Sequence, residues 1–411
     1  MSLLKRSTPL SAKHAFIALS VLVFFLSTQV SLTTYIDSSY LTHTILGTPS
    51  LAHMRLWQNP DQLVGALYTF ASLVTIFLLV TLPKILRRIG NYRFTLGALI
   101  LHTLFLLGLG IFNSAWLIIP IFMIEASLIS SLYFNLDVFL EHYSNDKETG
   151  LIRGTFMTVG SMAWLFPPFL GGYIVEHFGF SFAYLIGAAI ILPTILLMMR
   201  YFSEFEDLEY DPSPLIMSKE TAKTYPNVAR ILWSAFFVQC FYSWMIIYAP
   251  IYFHNNLGMT YEEFGMILMA ALTAFVIFPA PLGWLADHIL GEKELLVTGF
   301  FLMSLTSFAI PYVAELHVGM WWWALLLFIG RSGSATVDSM VETYFFKQID
   351  GHDAAIIGYY RRARPMAFIV APLLASILLG TNIITFTQLF TILGFVMLIA
   401  MYTPLRLKDT L

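Results

Sequence analysis

The sequence predicts an all-α polytopic membrane protein of twelve spans in two parallel six-helix halves. Three observations carry that expectation. The 411 residues are 58% hydrophobic and 11% charged, with mean hydropathy +0.75, whereas ordinary soluble domains carry about 25% charged residues. Apolar runs of roughly 20 residues, enough to cross a hydrocarbon core of about 30 Å, recur along the whole chain. Positive charge is segregated: with the N-terminus inside, of the 22 Lys and Arg residues only Arg55 and Arg331 fall outside the internal loops, tails and helix ends. Both termini are therefore expected in the cytoplasm. The net charge of −3 decides little, because distribution matters more than the sum. The single cysteine, Cys240, excludes an intrachain disulfide and any multi-cysteine metal site.

In chain order, the first apolar run (14–36) is longer than a signal-peptide core and lacks a cleavage site, so it is expected to stay in the mature chain. It carries Ser27, Thr28, Gln29, Ser31, Thr33, Thr34 and Tyr35. Further spans are expected at 63–82, 93–112, 115–140, 151–175 and 180–202. A polar stretch with Glu204, Glu206, Asp207, Glu209, Asp211, Pro212 and Pro214 then suggests a solvated linker. This divides the chain into 1–202, 203–227 and 228–411. The second set of spans falls at 228–253, 261–284, 294–312, 320–346, 354–379 and 382–404. The seventh holds Gln239, Tyr242, Ser243, Trp244 and Tyr248, and the tenth opens on Trp321-Trp322-Trp323, an interfacial aromatic anchor.

Ionisable groups near the bilayer centre are costly and mark function by default. Glu125 lies ten residues into the fourth span, about 15 Å at 1.5 Å per residue. Arg331 lies eleven residues into the tenth. Nearer the inner ends are Asp137 and Glu141 on the fourth span, and Asp338, Glu342 and Lys347 on the tenth. His102, in the third span, is expected to be a packing residue. The hydroxyls, amides and aromatic faces of the first and seventh spans suit a partly apolar organic solute, with helix–helix hydrogen bonds as the alternative use.

The halves echo each other. Asn59-Pro60-Asp61-Gln62 opens the second span and Thr260-Tyr261-Glu262-Glu263 the eighth. Each has the spacing of a capping box, and Gly65 and Gly265 follow. The most patterned stretch is Pro281-Leu282-Gly283-Trp284-Leu285-Ala286-Asp287-His288, with Gly291-Glu292-Lys293 beyond it. Gly283 is expected to let two helices approach closely, and Gly291 to permit a tight turn.

That stretch resembles the signature loop of the major facilitator superfamily, Gly-x-Leu-Ala-Asp-(basic)-x-Gly-(basic)-basic. Here His288 and Glu292 stand at the first two basic positions, and one extra residue precedes Gly291. The matching stretch after the second span keeps Arg88 and Gly90 but has Pro83 for the first glycine and Arg87 for the aspartate. Gly154, Pro168, Gly171 and Gly172 fall at the spacing of the family's antiporter motif in the fifth span, with Ala163 and Pro167 replacing its other glycines. The resemblance implies that the first, fourth, seventh and tenth helices line a central cavity, so that Glu125 and Arg331 would face each other, either as a proton-coupling pair or as a fixed ion pair. It also implies a cytoplasmic charge gate in which Asp287 pairs with Arg153, with Asp137 or Glu342 compensating for Arg87. The family's drug–proton antiporters usually carry an arginine in the fourth span, where this chain has Glu125.

The expected activity is alternating-access movement of a small organic solute, coupled to protons, with export ahead of uptake by a symporter for a sugar or similar metabolite. A transporter fold acting as a receptor or scaffold is the remaining alternative. No His-Glu-x-x-His, Gly-x-Ser-x-Gly or phosphate loop is present, so an enzyme is not expected. The expected partners are the solute, protons and the lipid of the inner (plasma) membrane. Neither a cofactor, a metal nor a nucleic acid is expected, and the chain is expected to be monomeric.

Overall fold

The computed structural model describes residues 12–48, 60–143, 149–205, 225–348, 354–380 and 384–408. These are helical throughout, with no strand among the described residues. This is the arrangement hydrocarbon demands, because a helix satisfies its backbone donors and acceptors within one segment. Most of the expected linker, 206–224, lies outside the described residues.

By contacts the chain forms two compact units, Met1–Thr48 with Phe70–Pro212, and Pro49–Thr69 with Ser213–Leu411. The first contains α1 (Ala12–Thr34), α2 (Asp37–Leu46), the C-terminal part of α3 (Pro60–Ile89), α4 (Asn91–Ile111), α5 (Ala115–Tyr143), α6 (Thr149–Met162), α7 (Pro167–Phe178) and α8 (Phe180–Tyr201). The second contains α9 (Pro226–Ile251), α10 (Tyr261–Leu272), α11 (Ala274–Ile277), α12 (Pro279–Leu285), α13 (Gly291–Glu315), α14 (Met320–Lys347), α15 (Ala354–Gly380), α16 (Phe386–Ala400) and α17 (Tyr402–Leu405). By length and composition, ten helical stretches among the described residues could cross a membrane. One of them, Tyr261–Glu315, contains both the eighth and ninth expected spans. The tenth span, α14, is absent from those ten but is 28 residues long and carries Arg331, Asp338 and Glu342.

Pairing within the units repeats. In the first, α1 packs on α5 and α8, and α4 on α5 and α8. In the second, α9 packs on α14 and α16, and α13 on α14 and α16. Glycines set these contacts, since lipid offers no hydrophobic drive and helices must associate by close packing. A Cβ on Gly171 of α7 would run into the Leu32 carbonyl of α1, as the antiporter-like spacing anticipates. Pro168 and Gly172 are buried beside it, and Gly154 lies in α6. In the second unit a Cβ on Gly299 would meet Gly333 O at 2.7 Å, and one on Gly333 would meet Gly299 O at 2.6 Å.

Three spans are less continuous than expected. The fifth breaks between α6 and α7, where Pro167 and Pro168 supply no backbone N–H and Pro167 starts the new helix. The seventh ends in a π turn, Tyr252–Asn256. The eighth is divided into α10, α11, α12 and a π turn at Ala286–Leu290, with Pro279 and Pro281 in the last α segment. The patterned stretch is therefore mostly helical, not a loop, and α13 starts directly at Gly291. Gly283 also differs from expectation: a Cβ there would meet nothing within 4 Å, so it is not a close-approach glycine.

Gly90 (φ 81°, ψ 154°) and Gly291 (φ 74°, ψ 163°) share one backbone conformation at corresponding junctions, a region almost closed to other residues. At the start of α10, Thr260 and Glu263 form the expected reciprocal capping box, with bonds of 3.1 and 2.9 Å. Its counterpart begins at Asn59, outside the described residues. There Gln62 instead donates through Nε2 to Leu379 O of α15 at 3.2 Å. Ser376 Oγ donates to Gln62 O at 2.9 Å, and Gly65 packs against the Tyr248 and Ser376 side chains. The N-terminal end of α3 thus belongs to the second unit, and the helix continues into the first, where Thr75 Oγ1 donates to Ser127 Oγ at 3.2 Å.

Replacing Gly90 or Gly291 by alanine should lower stability by about 1–3 kcal/mol each. Gly283→Ala, inside a helix with open space around it, should be neutral or stabilising by up to about 1 kcal/mol. Thermal unfolding of the three variants in one detergent checks the contrast.

Candidate functional site

In the first unit α1, α4 and α5 bring three buried polar side chains together. Gln29 and His102 are fully buried, and Glu125 is 5% exposed. His102 Nε2 lies 2.7 Å from Gln29 Oε1, and its Nδ1 lies 3.3 Å from Glu125 Oε1. The first contact is a short hydrogen bond. The second is at ion-pair distance but not aligned as a hydrogen bond, since Nδ1 has no partner by that criterion. Gly187 of α8 lies beside Gln29, whose Cγ and Nε2 would stand 3.5 and 3.7 Å from a Cβ at that position, an ordinary packing distance. The fully buried Tyr184, also on α8, donates to Asp37 Oδ1 at 2.7 Å. His102, expected to be a packing residue, is buried and hydrogen-bonded across to α1. Asp37 and Tyr184 were missed altogether, although Asp37 stands directly after the first apolar run, where its charge could have flagged it.

Two hydroxyls of α1 bond groups elsewhere in the unit. Ser27 Oγ is 2.8 Å from Tyr133 Oη, and Ser31 donates to Trp164 O at 3.4 Å. Thr33 and Tyr35 are buried. Asp137 is half-buried on α5.

In the second unit Arg331 is 2% exposed on α14, its guanidinium 5.9 Å from the Phe241 ring centre and 5.8 Å from that of Tyr242. Rings at that range attract a cation electrostatically. Tyr242 is half-buried and donates to Ser334 O at 3.2 Å. Trp244 Nε1 donates to Ala371 O at 2.7 Å, and Tyr248 Oη to Pro372 O at 3.2 Å. Both side chains are buried and committed to α15, so the helix–helix alternative holds for them. Gln239 stays half-buried on the same helix. Asp338 feels the charge of Arg364, and Glu342 is half-buried one turn further along.

Asp287 lies in the π turn before Gly291. Lys347 Nζ, at the end of α14, donates to Asp287 Oδ1 at 2.8 Å and to Glu292 Oε1 at 2.5 Å. The hydrogen bond and charge of Lys347 hold the Asp287 carboxyl below the ordinary carboxylate range. Its contribution is therefore present at neutral pH and is lost as pH falls through that lowered value. Lys347 is the partner that the structure describes for Asp287. The Arg153 side chain, expected in that role, lies outside the described residues. Arg88 is exposed in the last turn of α3.

Two units with repeated helix pairing, matching glycine turns and ionisable groups buried in apolar helices define a polytopic membrane protein of the transporter type. The chain belongs to the Major Facilitator Superfamily, whose family model matches residues 17–361 and 231–410. Membership sets it among transporters of small solutes and apart from enzymes. It is similar to a cis,cis-muconate transport protein of Acinetobacter baylyi (strain ATCC 33305 / BD413 / ADP1), with 22% identity over 217 residues. That match takes in 49% of this chain and spans about half, 52%, of the relative. In fold it is similar to a crystal structure of a point mutant of the nucleoside transporter NupG, with TM-score 0.69 and 10% identity. The fold match covers 95% of this chain and 99% of the other.

Lys347→Met should destabilise the protein more than Asp287→Asn. Glu292 is fully buried and would lose a 2.5 Å bond to a cation, whereas Asp287 is solvated. Unfolding temperatures of the two variants, measured side by side at neutral pH, test the ordering.

Proposed function

We propose that the chain is a proton-coupled transporter of a small organic solute, working by alternating access between the halves 1–202 and 228–411 with 203–227 as the linker. The observation that carries this reading is Glu125, a carboxyl buried among apolar helices 3.3 Å from a histidine ring nitrogen. A side chain so costly to place there is expected to serve ion coupling. The named substrates of the similar proteins, muconate and nucleoside, support a small organic solute. Arg331 under two aromatic rings is the group in the second unit best suited to meet a polar or anionic portion of it. Asp137 and Asp338 are the further coupling candidates. Asp287, Gly291, Glu342, Arg153, Arg88 and Gly90 form the inner gate in this reading.

Export is the favoured direction, supported by the antiporter-like glycines and prolines of α6 and α7, of which Gly171 packs directly on α1. Uptake by symport is the second reading, favoured by Glu125 standing where drug–proton antiporters usually carry an arginine. The protein is placed as a monomer in the plasma (inner) membrane with both termini cytoplasmic.

Proteoliposomes enclosing a pH-sensitive dye and challenged with cis,cis-muconate, nucleosides, sugars and drug pools should show solute-dependent proton movement. Glu125→Gln should abolish it, and its direction separates antiport from symport. Coupling that survives in Glu125→Gln would remove Glu125 from the mechanism.

A further inference from the structure

We infer that Glu125 and His102 bind the coupling proton together as one buried unit, with Gln29 as the positioning residue that selects the histidine tautomer. This rests on the coupling reading above and goes beyond it in assigning the proton to a pair.

The argument is a proton count. With Gln29 presenting Oε1 at 2.7 Å, His102 Nε2 must carry a hydrogen, because a carbonyl oxygen only accepts. Nδ1, 3.3 Å from Glu125, then has two possible states. In a neutral ring it is a lone pair, and a hydrogen bond to Glu125 then requires a protonated carboxyl. In an imidazolium it bears a second hydrogen and faces a carboxylate. Both hydrogen-bonded arrangements hold one proton more than neutral imidazole plus carboxylate, so closing the 3.3 Å gap into a hydrogen bond with this tautomer belongs to the loaded pair. Burial favours the neutral form of that loaded state, since two ions here would each lose their hydration.

The unloaded state is also available. Loss of one proton to water leaves a carboxylate and a neutral imidazole. The Nδ1–H tautomer can donate to that carboxylate, provided Nε2, now a lone pair, finds a donor. Gln29 supplies one if its amide turns over. Its Nε2 is buried and has no hydrogen-bond partner, so the turn breaks no bond at that end. The count closes: one proton leaves, the ring keeps one hydrogen, and only its position changes.

The titratable group that reaches the pair from a neighbouring element is Asp37 of α2, itself bonded by Tyr184 of α8. α1 presents the Gln29 amide, and α4 and α5 contribute the pair itself. A second carboxyl nearby opposes charge on Glu125. The histidine donor is therefore what makes deprotonation attainable within this unit.

The test is an infrared pH titration of the purified full chain in nanodiscs, in which the carboxyl band lost in Glu125→Gln reports Glu125. His102→Leu removes the donor to the anion, and charge-assisted hydrogen bonds are about twice as strong as neutral ones. The midpoint should therefore move about one pH unit upward. His102→Gln, whose amide can still donate, should restore part of the shift and guards against a variant that fails to fold. Gln29→Leu should move the midpoint the same way by less. A midpoint unmoved in both His102 variants, or no Glu125-dependent band at any pH, would overturn the shared site. Transport remains a separate readout: coupling retained in Glu125→Gln sinks the coupling reading, while an unmoved titration sinks only the sharing.

Discussion

In hydrocarbon no water can satisfy a polar group, and apolar side chains gain nothing by leaving lipid for one another. Both facts shape this molecule. Helices must satisfy their own backbones, and they must associate through close backbone approach and internal hydrogen bonds. Gly299 and Gly333 on facing helices, each against the other's carbonyl, show the first device. Ser304 donating to Gly394 O at 2.9 Å and Trp244 donating to Ala371 O at 2.7 Å show the second. Most hydroxyls in the spans are used up this way, many on the carbonyl one turn back, as Thr75, Ser131 and Thr336 are. The same constraint makes the exceptions informative: a carboxyl at Glu125 has no packing role that a leucine could not fill better.

Proline and glycine then decide where the helices stop. Pro167 and Pro168 divide the fifth span. Pro279 and Pro281 lie where the eighth becomes a series of short segments ending in a π turn. Gly90 and Gly291 turn the chain in the same unusual conformation at the same place in each half. The repeat is thus visible in backbone angles even where side chains have diverged, with Arg87 standing where the other copy has Asp287.

What could be read from the chain beforehand was whatever is one-dimensional. The long apolar helices, the capping box at Thr260 and the turn at Gly291 all depend on near neighbours in sequence, and they are legible there. Partner choice was not. Which face of α4 carries His102 toward α1 and α5 depends on helix rotation and crossing, which hydrophobic periodicity reports poorly when a helix is apolar on every side. So nothing in the run of residues points His102 at Gln29 and Glu125, or Asp37 at Tyr184. Lys347 was seen as a shallow charge, not as the bridge between Asp287 and Glu292. Gly283 failed in the opposite way, because a motif position was given a packing reason that open space around it removes.

A carboxyl that must take up and release a proton in a membrane needs a neutral state and a tolerable ionised state, separated by little free energy. Burial alone supplies only the first. An arginine fixed beside it would supply only the second, holding the carboxylate ionised. A histidine within 3.3 Å can serve both, since a neutral ring accepts from the acid through one tautomer and donates to the anion through the other. The tautomer must then be set by whatever bonds the far nitrogen. A glutamine side chain suits that task because its two ends are an acceptor and a donor of nearly equal size. Gln29, His102 and Glu125 lie on three helices of one unit, so the energetics of proton loading can be set there by side chains that share a single fold.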